Sequence, residues 1–366
     1  MTRLPSRKAK KGLVPIEPSN HDLMSLSRAP SPFDGRVLIS ESKMGLRVEL
    51  PIRRSSEGII SKLPLDVLWL ILSLMDVVTL NRMRLLNYAI KMLVENFRPY
   101  RYLIELVPEA LQSLLVCQVL RNFTVAHLFD ALTSRNCWTC GKAGLLLFIP
   151  LGRRCCMVCV QSSPSLRLLS VVVAKDCFGL SDDNLSMLPV VQMPIGRFGW
   201  PGREYRSQQL VVSLGLAHRL ALKIHGSEEK IRKYIAPAFN IRYNDYLLRV
   251  RDWQLAQLAG QIRAPPSIPR SRDEKLEVSY VKSVWRVVTP FPCANMRKIR
   301  TEFPRMCLGC IKDMKDFHAK ASKSSVAYKE RELQFIARAA TVWWVEGFSH
   351  HVHGCPGIRS ILEEED

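Results

Sequence analysis

The chain has 366 residues, which is room for two or three domains, and its 47% hydrophobic content is ordinary for a globular protein. No run approaches the roughly 18 apolar residues of a membrane span, and the basic start lacks the apolar core of a signal peptide, so we expect an intracellular protein, cytoplasmic or nuclear, with no membrane partner. The net charge of +20 suits nucleic acid, an acidic partner or an anionic surface, although the 53 Lys and Arg are scattered along the chain.

Cysteine spacing is the strongest chemical signal. Eleven cysteines in a reducing compartment would not persist as disulfides. Several of them stand in pairs separated by two residues, which indicates metal binding instead.

The first 58 residues mix proline, serine and charge with little periodicity, which predicts a largely disordered basic tail. The cluster 7–11 is either a nuclear import signal or a solvated basic run. The alternation of Leu46, Val48 and Leu50 indicates one short strand.

Residues 63–100 carry the most regular apolar pattern of the chain. Pro64 suits a helix start, and Asp66 lies in the first turn, where the helix dipole favours a negative charge. Val67, Leu70, Ile71 and Leu74 then recur at helical spacing on one stripe. Two more short helical segments follow, so we predict a three-helix unit.

A unit of about forty residues buries little surface of its own. We expect Leu68, Trp69 and Leu72, which lie outside the stripe, to be left uncovered. Another protein, or the rest of the chain, must cover them. The alternative is an ordinary buried helical hairpin.

The same segment, LPLDVLWLILSLMDVVTLNRMRLLN, resembles an F-box. The resemblance implies docking onto the Skp-type adaptor of a cullin-RING ubiquitin ligase. The residues that it places at the docking surface are Leu63, Pro64, Val67, Ile71, Leu74, Leu80 and Met83.

The stretch from 99 to 134 reads as helices broken by Pro108. We expect five leucines to point inward, namely Leu111, Leu114, Leu115, Leu128 and Leu132. Cys117, alone in an apolar helix, is interpreted as core packing.

The first metal-like cluster consists of two CxxC pairs, Cys137 with Cys140 and Cys156 with Cys159. Each pair can present two thiolates to one side, and four thiolates complete the tetrahedral shell of a structural Zn²⁺ with no position left for water. Cys155 could replace Cys156 in this set. The apolar run between the pairs predicts a strand in a zinc-ribbon-like hairpin, and a bound thiolate centre would explain the nearby Arg153 and Arg154.

Residues 60–200 as a whole are similar to a family of filamentous-fungal F-box proteins. In that family the F-box is followed by a cysteine pair, an apolar strand, a basic turn with cysteines and an FGLS segment, here at 178–181. The similarity implies fold and class, not the target that is recognised.

Beyond residue 165 we expect a strand over LRLLSVVVAKD, a helix starting at SDDN and an irregular loop over GRFGWPGREYRS. Cys177 is expected to pack in the core. Residues 207–261 read as helical with a basic face, which indicates a solvated surface, an acidic partner or nucleic acid. The positions expected inward are Leu210, Leu214, Ala217, Leu220, Ala221, Ile231, Ile235, Leu247, Leu255 and Leu258.

A linker over 264–275 precedes a strand or hairpin that leads to Cys293. A second metal-like cluster follows, in which Cys307 and Cys310 form a CxxC pair. A late helix, which we expect to include Val342 and Trp343, carries His351 and Cys355 one turn apart, and these complete a second possible zinc site. Its competitors as ligands are His318, His350, His353 and Cys293.

We therefore predict a mainly α fold with small β elements (α+β). The expected division is a tail at 1–58, the F-box at 59–100, a connector with the first zinc module at 101–200, a basic helical region at 201–270 and a C-terminal module at 271–366. The predicted function is a non-catalytic adaptor that presents an unknown target protein for ubiquitination. The alternative is a zinc-stabilised module that binds nucleic acid or another protein without a ligase role.

Overall fold

The computed structural model describes residues 27–28, 62–198, 203–278, 284–296, 300–320 and 326–365. The chain forms two compact units. The larger comprises Pro30–Pro304 and Ala340–Val342, and the smaller comprises Met1–Ala29, Arg305–Ala339 and Trp343–Asp366. The expected disordered tail, its basic cluster and the strand at 46–50 lie outside the described residues, apart from 27–28.

The larger unit begins with six short helices: α1 (Leu65–Leu74), α2 (Val77–Met83), α3 (Tyr88–Asn96), α4 (Arg98–Leu106), α5 (Pro108–Val116) and α6 (Val125–Thr133). Side chains set several of their starts. Asp76 accepts a hydrogen bond from the backbone N–H of Thr79 at 2.9 Å to cap α2, and Asn87 accepts one from Ile90 at 2.8 Å to cap α3. Pro108 ends α4 and opens α5, as the sequence indicates.

Helix α1 packs against α6, so the first three helices are not an isolated module. The backbone N–H of Val125 donates to the carbonyl of Met75 at 2.8 Å, which fixes the turn between α1 and α2. Four of the five leucines expected inward in α5 and α6 are buried. Leu115 is the exception, because it lies on the exposed face of α5.

The hairpin predicted between the cysteine pairs is present. Strands β2 (Leu146–Phe148) and β3 (Arg153–Cys155) pair antiparallel, with Leu146 opposite Cys155. A distant strand, β9 (Val288–Pro290), pairs with the other edge of β2. Helix α7 (Met157–Ser162) follows β3, and a second small hairpin joins β10 (Cys293–Asn295) to β11 (Arg300–Glu302).

The expected long strand after residue 165 is wrong beyond Ser170. Only β4 (Leu168–Ser170) is extended, and the valines belong to α8 (Val171–Phe178), because the Ser170 hydroxyl caps that helix at the N–H of Val173. Helix α9 (Asp182–Ser186) starts with a capping box at Ser181, as SDDN predicts.

The irregular loop and the early helix expected next are also wrong. Residues 196–205 hold a hairpin, β6 (Gly196–Phe198) with β7 (Arg203–Tyr205), and β8 (Gln209–Ser213) lies between β4 and β5 (Val191–Met193) in a three-stranded sheet. Leu210 therefore lies on a strand and is exposed. Pairing with distant strands outweighed the local helical pattern.

Two helices follow: α10 (Leu214–His225) and α11 (Glu228–Leu258). Only Ile231 and Ala256 of α11 are buried, and Leu247, Leu255 and Leu258, expected inward, are exposed. The chain then returns along α11, because Trp253 Nε1 donates to the carbonyl of Arg263 at 2.8 Å. It enters α12 (Arg272–Val278) beside α8.

The smaller unit contains β1 (Ser27–Arg28), paired antiparallel with β12 (Arg305–Cys307), and the helices α13 (Leu308–Lys320), α14 (Val326–Ala339), α15 (Val345–Gly354) and α16 (Pro356–Glu365). The late helix expected to include Val342 and Trp343 is interrupted, because these two residues form β13 (Val342–Trp343).

The predicted fold class is confirmed, since the described residues are mainly helical with short antiparallel sheets. No helix among these residues is both long enough and apolar enough to cross a membrane.

A buried guanidinium joins three distant segments of the larger unit. Arg154, on β3, is 2% exposed and donates to the carbonyls of Ala131 on α6, Gly144 before β2, and Phe291 and Pro292 before β10. Each of these bonds is 2.5–3.2 Å long. Desolvation lowers the pKa of Arg154 to about 10, so the group stays charged at neutral pH. The expected explanation by a thiolate centre is therefore wrong for this residue, because its partners are carbonyls.

Replacing Arg154 with methionine should lower the free energy of unfolding by about 3 kcal/mol, because four buried carbonyls would lose a charged donor. Urea denaturation of the full chain measures this loss. Arg153→Met is the matched control, since the neighbouring Arg153 is exposed and should change stability by less than about 0.5 kcal/mol. Equal losses for the two variants would contradict the proposed role of the buried group.

Candidate docking surface and candidate metal centres

One face of α1 is apolar and open to solvent. Val67, Leu70, Ile71 and Leu74 are 41%, 61%, 38% and 64% exposed, whereas Leu68 and Leu72 are buried. Of the two covers expected for Leu68 and Leu72, another protein or the rest of the chain, the structure shows the second, through the packing of α1 on α6. The stripe that the helical period predicts, Val67, Leu70, Ile71 and Leu74, therefore faces solvent. Trp69 is partly uncovered, as expected.

The sequence-selected docking residues fall into two groups. Leu63, Pro64, Val67, Ile71 and Leu74 are exposed, while Leu80 is fully buried and Met83 is half-buried. Leu80 therefore supports the surface from inside α2 and does not lie on it. Leu70 belongs to the surface although the resemblance did not select it, and its place in the helical period is the signal that finds it.

A partly buried ion pair holds the second and third helices of this region together. Arg84, which follows α2, donates through Nε and Nη2 to Glu95 Oε1 on α3, at 2.9 and 2.5 Å. Nη1 donates to Asn81 at 3.1 Å. The ion pair therefore fixes α2 against α3, the two helices that follow α1.

The first cysteine group is assembled from two loops beside the β2–β3 hairpin. The sulfur atoms of Cys137, Cys140, Cys156 and Cys159 all lie within 4.8 Å of one another. Cys156 caps α7, and its Sγ accepts a hydrogen bond from the N–H of Cys159 at 3.4 Å. Local backbone geometry thus aims the second pair at the first.

The protonation of this group is uneven. The Cys156 thiol donates to Cys137 and, with the backbone N–H groups of Thr139 and Cys140, lowers the pKa of Cys137 to about 4. The same bond raises the pKa of Cys156, and burial raises the pKa of Cys159 to about 12. A bound cation would favour the thiolate forms of Cys156 and Cys159, because metal binding releases the protons of its ligands.

Cys155 lies outside the group. It is on β3, fully buried, and burial raises the pKa of its thiol. Its neighbour Arg153 is exposed and places its guanidinium 5.4 Å from the centre of the Trp138 ring. Of the two residues left open by the sequence, Cys156 is thus the one near the other three sulfurs.

The second group is built in the same way in the smaller unit. Cys307 ends β12, Cys310 is in the first turn of α13, and Cys307 Sγ accepts from the N–H of Cys310 at 3.5 Å. His351 on α15 and Cys355, which ends that helix, complete four ligand atoms within 4.8 Å. Burial lowers the pKa of His351, which favours the neutral imidazole that binds metals.

Two glycines allow the helices of this group to approach. A Cβ on Gly309 would lie 2.3 Å from the backbone nitrogen of Ile358, and a Cβ on Gly357 would lie 2.1 Å from the carbonyl oxygen of Gly309. The starts of α13 and α16 are therefore in backbone contact. The Trp343 ring stacks on the His351 ring, with 4.6 Å between the ring centres, and fixes the orientation of the imidazole. Neither the glycine contact nor the ring stacking follows from the ligand spacing in the sequence.

The competing ligands are placed elsewhere. Cys293 is in the larger unit and donates to the carbonyl of Thr133 at 3.5 Å. His318 lies 3.3 Å from the hydroxyl of Tyr328, and His350 and His353 are exposed on α15.

The spacing of the ligand atoms fits a tetrahedral zinc ion. Zn–S bonds of about 2.3 Å place two sulfurs about 3.8 Å apart, and a sulfur and an imidazole nitrogen about 3.6 Å apart. Cys140 and Cys156 are 3.7 Å apart, Cys310 and Cys355 are 3.7 Å apart, and Cys310 and His351 Nε2 are 3.4 Å apart. Both groups could therefore hold a metal ion.

Comparison with known proteins identifies one domain. An F-box domain is found at residues 60–102, which covers α1 to α3 and the first part of α4. No curated protein and no solved structure matches the chain.

Gly309→Ala should destabilise the smaller unit by about 2–3 kcal/mol, because the added methyl group would push α13 away from the backbone of α16. Thermal unfolding followed by circular dichroism measures the effect. Gly354→Ala is the control, since a Cβ there meets no atom within 4 Å. A Gly309→Ala protein as stable as this control would refute the close contact.

Proposed function

We propose that this chain is the substrate-recruiting subunit of a cullin-RING ubiquitin ligase, in which the F-box docks on a Skp-type adaptor and the remainder presents a target protein. F-box domains generally bind such adaptors and are generally non-catalytic. The observation that carries the proposal is the exposed apolar face of α1 inside the matched domain.

The exposure pattern supports a docking role for this face. Four large aliphatic side chains in three turns of one helix are a patch of the kind that marks a protein interface. The opposite side of α1 is committed to the core through Leu68 and Leu72. An adaptor that covered the outer face would therefore leave the fold unchanged.

The connection between the F-box and the following residues supports target presentation. The hydrogen bond from Val125 to Met75 and the packing of α1 on α6 join the F-box to the connector. A target held by the larger unit would therefore keep a fixed position relative to the adaptor. In this proposal, residues 59–100 dock, residues 101–200 connect, and the regions 201–270 and 271–366 are available for the target.

Zinc has a structural role in this proposal, with one ion in each cysteine group. Four protein ligands fill each shell and leave no site for a substrate water. The bound ions would hold loops whose own apolar contacts are few. Among the described residues of the smaller unit, the buried core around the ligands consists of Phe348, Val352 and Ile358 besides the cysteines, with Trp343 and Ile361 partly buried against it.

The alternative, a zinc-stabilised nucleic-acid-binding protein, has the net charge of +20 as its main support. Within the described residues, however, several basic side chains of α11 are engaged with acids. Arg232 contacts Asp273, Arg242 contacts Asp176, and Arg249 contacts Asp245. Retention on DNA or RNA that falls steeply with salt would favour this alternative.

Ile71→Asp should weaken binding of the full chain to a purified Skp-type adaptor by about 2–4 kcal/mol, or roughly 30- to 1000-fold, because a carboxylate would be buried in an apolar contact. Isothermal titration calorimetry gives the affinity. The control is Val172→Asp, which places the same charge on an exposed aliphatic position of α8 and should leave the affinity unchanged. Failure of the wild-type chain to bind would remove the adaptor proposal.

Purified protein should contain two zinc ions per chain by inductively coupled plasma mass spectrometry. Cys156→Ser should reduce the content to one, because a hydroxyl is a poor replacement for a thiolate ligand. Cys155→Ser should retain two, since Cys155 lies outside the group. The reverse result for the two serine variants would reassign the ligand, and zinc-free protein would refute the proposed role of the metal.

A further inference from the structure

A small pocket with an unusual charge lies where α8, α11 and the start of α12 meet. Its enclosed volume is about 20 Å³, enough for about one water molecule or one ligand oxygen, and the pocket opens to solvent. The aromatic ring of Phe239 and the side chain of Ile235 form its apolar part. The remaining lining residues are charged: Arg242, Arg270, Arg272 and Lys275, with Asp176 as the one acid. Neither the F-box nor the cysteine groups contribute to it.

The acids near the pocket do not balance its cations. Asp176 Oδ2 accepts from both Lys275 Nζ, at 2.7 Å, and Arg242 Nη1, at 2.9 Å, so one carboxylate serves two cations. Burial raises the pKa of Asp176, but these two neighbours outweigh burial and hold its pKa below the ordinary value.

The two other arginines differ in their surroundings. Arg272 is bound to Glu228, which balances its charge. Arg270 has no ion-pair partner within 4 Å among the described residues, and its side chain is exposed at the pocket. Glu274 lies near enough to Arg270 for that cation to help lower the pKa of the carboxyl group, but the two are not an ion pair within 4 Å. The four cations of the pocket therefore exceed the carboxylates in contact with them, Asp176 and Glu228, by two.

Arg242 supplies an independent sign of a missing partner. Its Nε is buried and makes no hydrogen bond, although the same guanidinium donates to Asp176 through Nη1. A buried N–H without an acceptor costs about 1–3 kcal/mol. An oxygen atom inside the pocket would relieve this cost.

We propose that this pocket binds a phosphate-class dianion, with Arg242 Nε and Arg270 as its principal donors. A group with two negative charges matches this excess of two positive charges, and guanidinium groups suit the oxygens of a phosphate. The phosphate is either free inorganic phosphate or a phosphorylated side chain of a protein. In the second case the pocket would be a recognition site for the target, and that reading rests on the proposed function.

Titration calorimetry of the full chain with inorganic phosphate, at constant ionic strength, tests the site. We expect saturable binding of the wild type in the millimolar range. Arg270→Gln should weaken it by about 5-fold or more, through loss of one charge-assisted donor. Arg242→Lys should weaken it by about 3-fold, because lysine keeps the charge beside Asp176 but lacks the Nε–H.

Lys233→Gln is the matched control. Lys233 lies on the exposed side of α11, with no partner among the described residues. Its replacement by glutamine removes one positive charge, as Arg270→Gln does. It should leave phosphate affinity within about 1.5-fold of the wild type, because screening weakens charges outside the pocket. Thermal midpoints measured without phosphate show whether each variant is folded.

Two peptides of one sequence, with serine or phosphoserine, identify the source of the phosphate. Binding of the phosphoserine peptide at least tenfold tighter than inorganic phosphate, with loss in Arg270→Gln, would assign a phosphorylated protein. Tighter binding of inorganic phosphate would assign the free ion. No saturable binding by the wild type, or an equal loss in Lys233→Gln and Arg270→Gln, would overturn the proposal.

Adaptor binding separates this proposal from the proposed function. Arg270→Gln should bind the Skp-type adaptor with wild-type affinity, because the pocket shares no residue with α1. An adaptor-binding chain that ignores phosphate would refute the pocket alone. A phosphate-binding chain that ignores the adaptor would refute the ligase role alone.

Discussion

The larger unit depends on a buried guanidinium, that of Arg154, whose hydrogen-bond partners among the described residues are all backbone carbonyls. The guanidinium of Arg154 satisfies four carbonyls, the most distant of which lies 138 residues from Arg154 in the sequence. Burying such a charge is costly, and only a full set of hydrogen bonds makes it tolerable. A Cβ on Gly144 would lie 2.5 Å from the Arg154 side chain, so the glycine is required by the same contact. Arg286 repeats the solution, because it is buried and donates to the carbonyls of Met193, Pro194 and Ser207.

The two cysteine groups share the same local structure. In each, a short strand leads into a CxxC turn, and the first thiol accepts the N–H of the second cysteine at the start of a helix. The remaining two ligands come from a loop in one case and from a distant helix in the other. Short strands and short helices bury little apolar surface. A metal ion would supply the missing stabilisation at both places.

Exposed apolar surface and uncompensated charge lie in different parts of the larger unit. The apolar face is on α1, within the F-box. The surplus positive charge lines a pocket beside the N-terminal half of α11. Some basic residues have particular structural roles: Arg154 and Arg286 bind carbonyls inside the protein, and Arg84 joins two helices. Net charge alone would have favoured a diffuse nucleic-acid surface.

The sequence by itself determined the features that depend on neighbouring residues. The helix starts at Asp76 and Ser181, the helix break at Pro108, the cysteine pairs and the helical stripe of Val67, Leu70, Ile71 and Leu74 all follow from short-range spacing. Tertiary structure decided the features that depend on distant partners. It turned the valines after Ser170 into a helix and residues 209–213 into a strand, and it chose Cys156 over Cys155. It also covered Leu68 and Leu72, because burial and strand pairing are settled by segments far away in the chain, which local periodicity does not identify.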